Sequence, residues 1–345
     1  MWTRQAQPVE SLAFINNPIS ARMLLGALRA EGVDQSKMVL IVLRPLKPES
    51  WWANCALTLV YPTKASLKIY GQCRFIPFYI QASRVLKMVL RSASLKHVFV
   101  VNNDNILTNH AIHLARKIGG CRISVISEGF MNYQDIRLVN RAAWRNHLRP
   151  LFARILGLQW HTPAGHLSGA FEEPVSTVYG FTKDGLFAPE DKVRVLPMTP
   201  VVASVQKDPE STLFLETALW QWMARAEFEA FAESFSRWLK QLHVKRLLVK
   251  PHPNYPPSQY LRKLLPEHEV AYESDSVESL ADKIAATRVV GFCCTGLATL
   301  KLLRPDLQCI DFGHDYYLEH AYGGDKSLLR MMESVGVQLQ PYDQH

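Results

Sequence analysis

Residues 97–129, HVFVVNNDNILTNHAIHLARKIGGCRISVISEG, predict a strand, a helix and a second strand in succession. The apolar runs 97–101 and 122–126 have strand length, and 108–118 has a helical pattern. Gly119 and Gly120 form a stop signal for that helix. Strands that alternate with helices favour a mainly parallel sheet covered on both faces.

The same alternation continues along the chain on both sides of this unit. We predict strands at 38–43, 246–250, 288–293 and 307–311, weaker strands at 66–69 and 75–79, and helices at 19–30, 82–92, 227–243, 256–265, 277–286 and 295–303. Residues 167–199 are rich in Gly, Pro, Thr and charge and show no sustained period, which is typical of a connection. The sequence therefore predicts Rossmann-like domains at 1–166 and 200–345 that face an interdomain cleft.

The composition is that of a globular protein with an anionic partner. Of the 345 residues, 48% are hydrophobic and 20% are charged, which excludes disorder as the dominant state. Lys and Arg number 39 against 31 Asp and Glu, so nucleic acid, a membrane surface, a nucleotide or an acidic sugar are candidate partners. No apolar run approaches the length of a membrane span, and neither a secretory signal nor paired cysteines are evident. We expect a cytoplasmic protein.

Four polar clusters follow predicted strands, at 102–105, 127–129, 251–254 and 293–296. Open parallel sheets bind their ligands outside the carboxyl ends of the strands. We therefore expect the functional site to be built from these clusters.

Glu128 and His252 are the candidate acid–base residues. Glu128 follows a strand and precedes Gly129, so its carboxylate is placed to take a proton from a hydroxyl nucleophile. The alternative is a carboxylate that caps the next helix. His252 lies between Pro251 and Pro253, whose rings restrict the backbone, and such a histidine suits hydrogen bonding to a phosphate or proton donation to a leaving group. The alternative is a turn histidine without a function.

A phosphate site is predicted where a helix begins directly after a strand. Cys294, Thr295 and Gly296 open that helix, and its exposed N–H groups and dipole favour an anion. Lys250 adds positive charge beside His252. A plain N-cap threonine is the alternative for Thr295. Neither a Walker loop nor a Gly-x-Gly-x-x-Gly motif occurs, which argues against an ATPase or a dinucleotide oxidoreductase.

The sequence contains no Asp-x-Asp, His-x-x-x-His or Cys-x-x-Cys motif. These are usual metal-binding patterns, so we predict a mechanism without a metal ion or other cofactor.

A row of arginines recurs every four residues at Arg137, Arg141, Arg145 and Arg149. On a helix these side chains would form one drifting stripe beside apolar groups, suited to anionic lipid or a lipid-linked phosphate. The alternative is a solvated face paired with carboxylates. Nucleic acid is not expected, because no recognised binding module accompanies the stripe.

The ordered set Ser127-Glu128-Gly129, Lys250-Pro251-His252-Pro253 and Cys294-Thr295-Gly296 resembles the motifs of bacterial sialyltransferases with the GT-B fold. The resemblance is to glycosyltransferase family 52 and the related polysialyltransferases, which carry an acidic-acidic-Gly motif, a His-Pro motif and a Ser/Thr pair in this order. Ser127 replaces the first acidic residue here, and Cys294 replaces one member of the pair.

The resemblance implies a metal-independent, inverting transfer of sialic acid from CMP-sialic acid to a hydroxyl of a surface glycan. Glu128 would be the base, His252 would hydrogen-bond or protonate the departing phosphate, and Thr295 and Gly296 would hold it. Residues predicted to bind the acceptor are Asn16, Asn17, and the loop 102–105 with Asn103, Asp104 and Asn105. Ser274 and Ser276 would border the nucleotide. The acceptor would be a lipooligosaccharide, O-antigen or capsule glycan, built with peripheral contact to the inner membrane face.

Two other functions remain open from the sequence. One is a GT-B transferase that uses CMP-Kdo or another nonulosonate donor. The other is a non-catalytic α/β protein that binds a lipid-linked or nucleic-acid phosphate through the arginine stripe.

Overall fold

Two units make up the chain, Met1–Pro197 and Met198–His345. The computed structural model describes residues 8–62, 75–135, 143–217, 223–252, 269–272, 276–320 and 325–342. The predicted elements at 66–69 and 256–265 lie outside these residues. Within the described residues, every helix is too short or too polar to cross a bilayer.

The first unit is built on a parallel sheet of seven strands, in the order β3-β2-β1-β4-β5-β6-β7. The strands are β1 Ser11–Ile15, β2 Met38–Val42, β3 Leu57–Val60, β4 His97–Val100, β5 Arg122–Ile126, β6 Val175–Gly180 and β7 Val193–Val195. Every residue of β1 and β2 is buried, as expected for strands covered on both faces. The helices are α1 Pro18–Ala30, α2 Phe75–Val89, α3 Ile106–Ala115 and α4 Ala143–Ile155.

The second unit has a parallel sheet of six strands, in the order β10-β9-β8-β11-β12-β13. The strands are β8 Asp208–Leu215, β9 Arg246–Lys250, β10 Glu269–Tyr272, β11 Ala286–Gly291, β12 Gln308–Phe312 and β13 Gln338–Gln340. The helices are α5 Arg225–Gln241, α6 Val277–Leu280, α7 Thr295–Leu303, α8 His314–His320 and α9 Ser327–Ser334. The predicted α/β class with mainly parallel sheets is confirmed.

Each sheet has one point where the strand order reverses. In the first unit this point lies between β1 and β4, and in the second between β8 and β11. Connections leave such neighbouring strands in opposite directions, so a crevice forms at their carboxyl ends. Asn16 and Asn102 follow β1 and β4 at the first position, and Thr295 follows β11 at the second.

Three segments differ from the sequence prediction. Residues 75–79, predicted as a weak strand, begin α2, because the buried residues Phe78, Ala82 and Leu86 continue one helical face. Residues 167–199, predicted as an irregular connection, supply β6 and β7 to the first sheet, and the boundary between units falls after Pro197. The helix predicted at 277–286 is shorter, since β11 already begins at Ala286.

Candidate functional site

The Glu128 side chain lies at the carboxyl end of β5, beside the reversal point of the first sheet. It is 7% exposed. Gly129 follows with a φ of +95°, a conformation that glycine adopts without strain and that turns the chain at this point. Asn16 and Asn102, which follow the strands β1 and β4, both donate to the Glu128 carboxylate. The ends of three neighbouring strands therefore converge on one carboxyl group.

The backbone around Glu128 is also held by amide side chains. Asn17 Nδ2 donates to the Glu128 carbonyl oxygen at 2.7 Å, and the Glu128 N–H donates to Asn132 Oδ1 at 2.8 Å. Asn17 is at the same time the N-cap of α1, where it accepts from the Ser20 N–H. These bonds hold the backbone from which the Glu128 side chain projects.

Burial raises the pKa of Glu128 to about 7. The positive charge of Arg44 and the hydrogen bond from Asn102 oppose this shift, and Asp104 adds to it. A carboxyl group with such a pKa is partly ionised near neutral pH. It is therefore suited to accept a proton in a reaction at that pH.

Asn102 adds an unused acceptor beside this carboxylate. Its Nδ2 atom donates to Glu128, whereas its Oδ1 atom is buried and has no hydrogen-bond partner among the described residues. A buried polar atom without a partner is unusual, because losing its hydrogen bond to water is costly.

The rest of the predicted acceptor loop has other contacts. Asn103 is completely buried, where it donates to Glu172 at 2.6 Å and accepts from Asn109 at 2.8 Å. Asn105 caps α3 by accepting from the Leu107 N–H. The prediction that Asn103 and Asn105 bind an acceptor therefore differs from the structure, in which both side chains stabilise the fold locally. Asn16 and Asn17, also predicted to bind acceptor, contact Glu128.

Two basic residues of the second unit, Lys250 and His252, lie at the end of β9 and just after it. Lys250 is buried and donates through Nζ to the carbonyl of Pro251 at 2.9 Å. His252 is half-buried, and burial together with the charge of Lys250 lowers its pKa below the usual value. The imidazole is therefore mainly neutral at neutral pH, a form that donates a hydrogen bond through one nitrogen.

The start of α7 follows a strained turn at the end of β11. Cys293 has a φ of +48°, a conformation that non-glycine residues rarely adopt. Its N–H donates to Asp311 Oδ1 at 2.5 Å, and Asp311 is fully buried in β12 with a pKa raised by burial to about 7. Cys294 is the N-cap of α7. Asp311 thus anchors the turn that presents the first N–H groups of α7.

Gly296 has a packing role in this helix. A Cβ atom at this position would lie 2.9 Å from Leu215 Cδ1 and 3.2 Å from Cys294 Sγ. Glycine therefore allows α7 to approach β8 closely. Thr295 is the first residue of the helix, and Ser276 caps the short helix α6 by accepting from the Ser279 N–H at 3.3 Å. Ser274 lies outside the described residues.

Glu128 belongs to the first unit, and His252, Thr295 and Gly296 belong to the second. That these groups meet at one cleft stays a prediction. In the described ranges, no group of three or more His, Cys, Asp or Glu side chains is arranged to hold a metal ion.

The arginine row has a different environment from the predicted stripe. Arg149 forms an ion pair with Asp104 at 2.5 Å and lies over the ring of Trp160, 5.4 Å from its centroid. This favours the alternative of a paired residue for Arg149. Arg145 lies on α4, and Arg137 and Arg141 lie outside the described residues.

Sequence reasoning did not select Arg44, Asn132 or Asp311. Arg44 follows β2, Asn132 lies four residues after Glu128, and Asp311 is in β12. Arg44 and Asp311 share the feature that marked the other candidates, a polar residue at the carboxyl end of a strand. Asp311 was counted as the end of an apolar run, because its burial is evident only from the sheet order.

The similarity of this chain to known proteins lies in its fold. A scan against protein-family models finds no match, and a sequence comparison with characterised proteins finds none either. Among solved structures, the chain is similar to the α/β-galactoside α-2,3-sialyltransferase from the luminous marine bacterium Photobacterium phosphoreum. The two share 12% sequence identity with a TM-score of 0.52, over 96% of this chain and 98% of that one.

Two other solved structures are similar to the same degree. The UDP-GlcNAc 2-epimerase from Neisseria meningitidis, bound to UDP-GlcNAc, has 12% identity and a TM-score of 0.51, over 97% of this chain and 88% of that one. UGT89C1 from Arabidopsis thaliana, complexed with UDP-L-rhamnose, has 9% identity and a TM-score of 0.50, over 99% and 88%. At these identities the similarity shows the fold, which is of the GT-B class.

Proposed function

We propose that the protein is an inverting, metal-independent glycosyltransferase that moves sialic acid from CMP-sialic acid to a hydroxyl of a surface glycan. The observation that carries the proposal is the Glu128 carboxyl group. It is buried beside the reversal point of the first sheet, has a pKa of about 7, and accepts hydrogen bonds from Asn16 and Asn102. A general base works best when its pKa lies near the working pH.

In the proposed reaction, the acceptor hydroxyl donates its proton to Glu128 as its oxygen attacks the anomeric carbon of the donor sugar. The bond between that carbon and the phosphate oxygen breaks, and its electron pair leaves with CMP. Attack on the face opposite the leaving group inverts the configuration. Asn16 and Asn102 hold the carboxylate in place through their amide groups.

His252 and the start of α7 would bind the departing phosphate. The lowered pKa of His252 in the free protein favours hydrogen bonding over proton transfer. A bound phosphate would raise that pKa again, because an anion favours the protonated imidazole. The N–H groups after Cys294 would add the positive end of the α7 dipole.

The proposed donor is a cytidine nucleotide sugar. The GT-B fold is shared with an epimerase bound to UDP-GlcNAc and with a protein complexed with UDP-L-rhamnose, which supports a nucleotide-sugar ligand. The motif resemblance alone favours a cytidine nucleotide, and CMP-Kdo is the alternative donor.

The test is a thermal-shift and donor-turnover panel on the full chain. We expect CMP to raise the melting temperature more than UMP, GMP or AMP, since a ligand that binds only the folded state stabilises it. CMP-sialic acid should be turned over in preference to CMP-Kdo and UDP-GlcNAc. Preference for CMP-Kdo would replace the donor, and interconversion of UDP-GlcNAc without an acceptor would replace transfer by epimerisation.

Variants test the residues. Glu128→Gln should lower turnover about 10³-fold while keeping CMP binding, because only the base is removed. Glu172→Gln changes another buried carboxyl group of the same unit and serves as the matched control. His252→Ala should lower turnover and weaken CMP binding together. Wild-type kinetics in either site variant would remove that residue from the reaction.

A further inference from the structure

Two helices of the first unit expose apolar side chains to an unusual extent. On α4, Leu148, Leu151 and Ile155 are 50%, 56% and 72% exposed, and their spacing places them on one face. On α2, the exposed apolar residues are Phe75, Ile76, Ile80 and Met88. Of the twelve large hydrophobic residues found exposed in the described part of the chain, seven belong to these two helices. Clustered exposed apolar residues mark a surface that interacts with another protein or with a membrane.

The two helices contact each other, so their exposed residues belong to one region. The ring of Phe152 on α4 lies 6.2 Å from Phe75 and 5.8 Å from Tyr79 on α2. Lys87 Nζ on α2 donates to the carbonyl of Leu156, just after α4, at 2.7 Å. We refer to the exposed residues of both helices as the α2–α4 surface.

The charge of the chain is concentrated in the sequence around this surface. Residues 50–103 contain seven Lys and Arg and residues 136–171 contain five, and neither segment contains a single Asp or Glu. The remaining 27 Lys and Arg are outnumbered by all 31 Asp and Glu, so the basic excess of the chain lies in these two segments. Arg84, Arg91 and Arg154 are exposed there.

The basic residues are interleaved with the apolar ones. On α2, Ile76, Ile80, Arg84 and Met88 follow one another at intervals of four, and therefore line one side of the helix. On α4, Arg154 precedes the most exposed apolar residue, Ile155. A partner that offers negative charge at its surface and an apolar layer beneath it matches this pattern, and a bilayer with anionic lipids has both.

We propose that the α2–α4 surface binds the face of an anionic lipid bilayer, with its apolar side chains among the acyl chains and its arginines at the headgroups. This surface differs from the predicted arginine stripe, because Arg149 is paired with Asp104. The proposal does not depend on which sugar donor the protein uses. Bilayer binding would bring the protein to the membrane surface at which a lipid-linked substrate is held.

The test is sedimentation of the full chain with vesicles, in the absence of nucleotide. We expect binding to mixed phosphatidylcholine–phosphatidylglycerol vesicles, weaker binding to pure phosphatidylcholine, and a decrease with added salt. Arg154→Glu and Ile155→Glu should each weaken binding to anionic vesicles about tenfold, the first through charge and the second through lost insertion. The matched controls are Arg29→Glu and Val202→Glu, at exposed positions outside the surface, of which Val202 is 88% exposed.

Three results would overturn the proposal: no sedimentation with anionic vesicles, equal binding to neutral vesicles, or wild-type binding by both surface variants. Sedimentation velocity supplies an independent check. A dimer that Ile155→Glu dissociates would assign the surface to a second copy of the chain and also overturn the proposal. A failed donor panel leaves all of these measurements unaffected, so the two proposals fail separately.

Discussion

Asn102 donates to both carboxylate oxygens of Glu128, at 3.4 and 3.3 Å, while its own Oδ1 atom is buried without a partner in the described structure. The two side chains come from the ends of adjacent strands, so their spacing is set by the sheet. Asn102 therefore helps to orient the carboxylate that would take the proton of an acceptor hydroxyl. The residue next in sequence, Asn103, points into the fold.

These adjacent asparagines allow a matched comparison. Asn102→Ala should lower kcat about tenfold with little loss of stability, because it removes the amide that hydrogen-bonds to the base. Asn103→Ala should leave kcat near the wild-type value and lower the free energy of unfolding by about 1–3 kcal/mol, since Glu172 and Asn109 lose a buried partner. Steady-state kinetics and urea unfolding measure the two effects. A reversed pattern would assign substrate contact to Asn103.

The rate should depend on pH through Glu128. The base must be ionised to accept a proton, so kcat/KM should rise as the pH increases and level off above about 7. Arg44→Ala removes the positive charge that lowers this pKa, and should therefore move the rising limb to higher pH. Arg29→Ala, an exposed arginine on α1, is the control and should leave the profile unchanged. An unchanged pH profile in Arg44→Ala would show that the rise in kcat/KM does not come from the ionisation of Glu128.

Stability should depend on pH in the opposite sense. The pKa of Glu128 is about 7 in the folded protein and 4.5 as an ordinary value, so the unfolded chain loses its proton first. The burial cost is absent below pH 4.5, grows as the pH rises, and reaches about 3 kcal/mol above pH 7. Glu128→Gln should therefore raise the free energy of unfolding above pH 7 and leave it unchanged below pH 4.5. Urea unfolding at both pH values measures this, and a variant less stable than wild type above pH 7 would contradict it.

Local patterns in the sequence were sufficient for much of the fold. The strand 122–126 and the helix 295–303 have the predicted bounds, because their apolar runs are flanked by glycine or polar residues. The aromatic residues of 75–79 favoured a strand, and only the burial of Phe78 with Ala82 identifies one helix. Residues 175–180 form β6, but they lie in a stretch rich in Gly, Pro and Thr, so their sequence did not indicate a strand. Short-range pattern fails where an element is decided by the neighbour it packs against.

The strand ends that form the candidate site could be predicted from the sequence. The contacts between their side chains could not. Glu128 was selected from its position after β5, but its bond to Asn16 joins residues 112 positions apart. That bond follows from the placement of β1 between β2 and β4, which no local pattern encodes. The same limit applies to Asn103, since a polar loop residue is indistinguishable from its neighbour until the packing around Glu172 is known.

The buried pair of Cys293 and Asp311 gives the last prediction. Asp311→Ala leaves the Cys293 N–H without its acceptor in a turn that already has a φ of +48°, so the free energy of unfolding should fall by about 1–3 kcal/mol. The start of α7 should also lose its fixed position, and CMP binding should weaken if that helix holds the phosphate.

Asp311→Asn keeps an oxygen acceptor and buries no charge. Above pH 7 it should therefore be at least as stable as wild type, because burial raises the pKa of Asp311. Calorimetric titration of CMP into both variants separates the roles: weakened binding in Asp311→Ala with wild-type binding in Asp311→Asn supports anchoring of α7, whereas equal binding in both would show that the turn does not position the phosphate site.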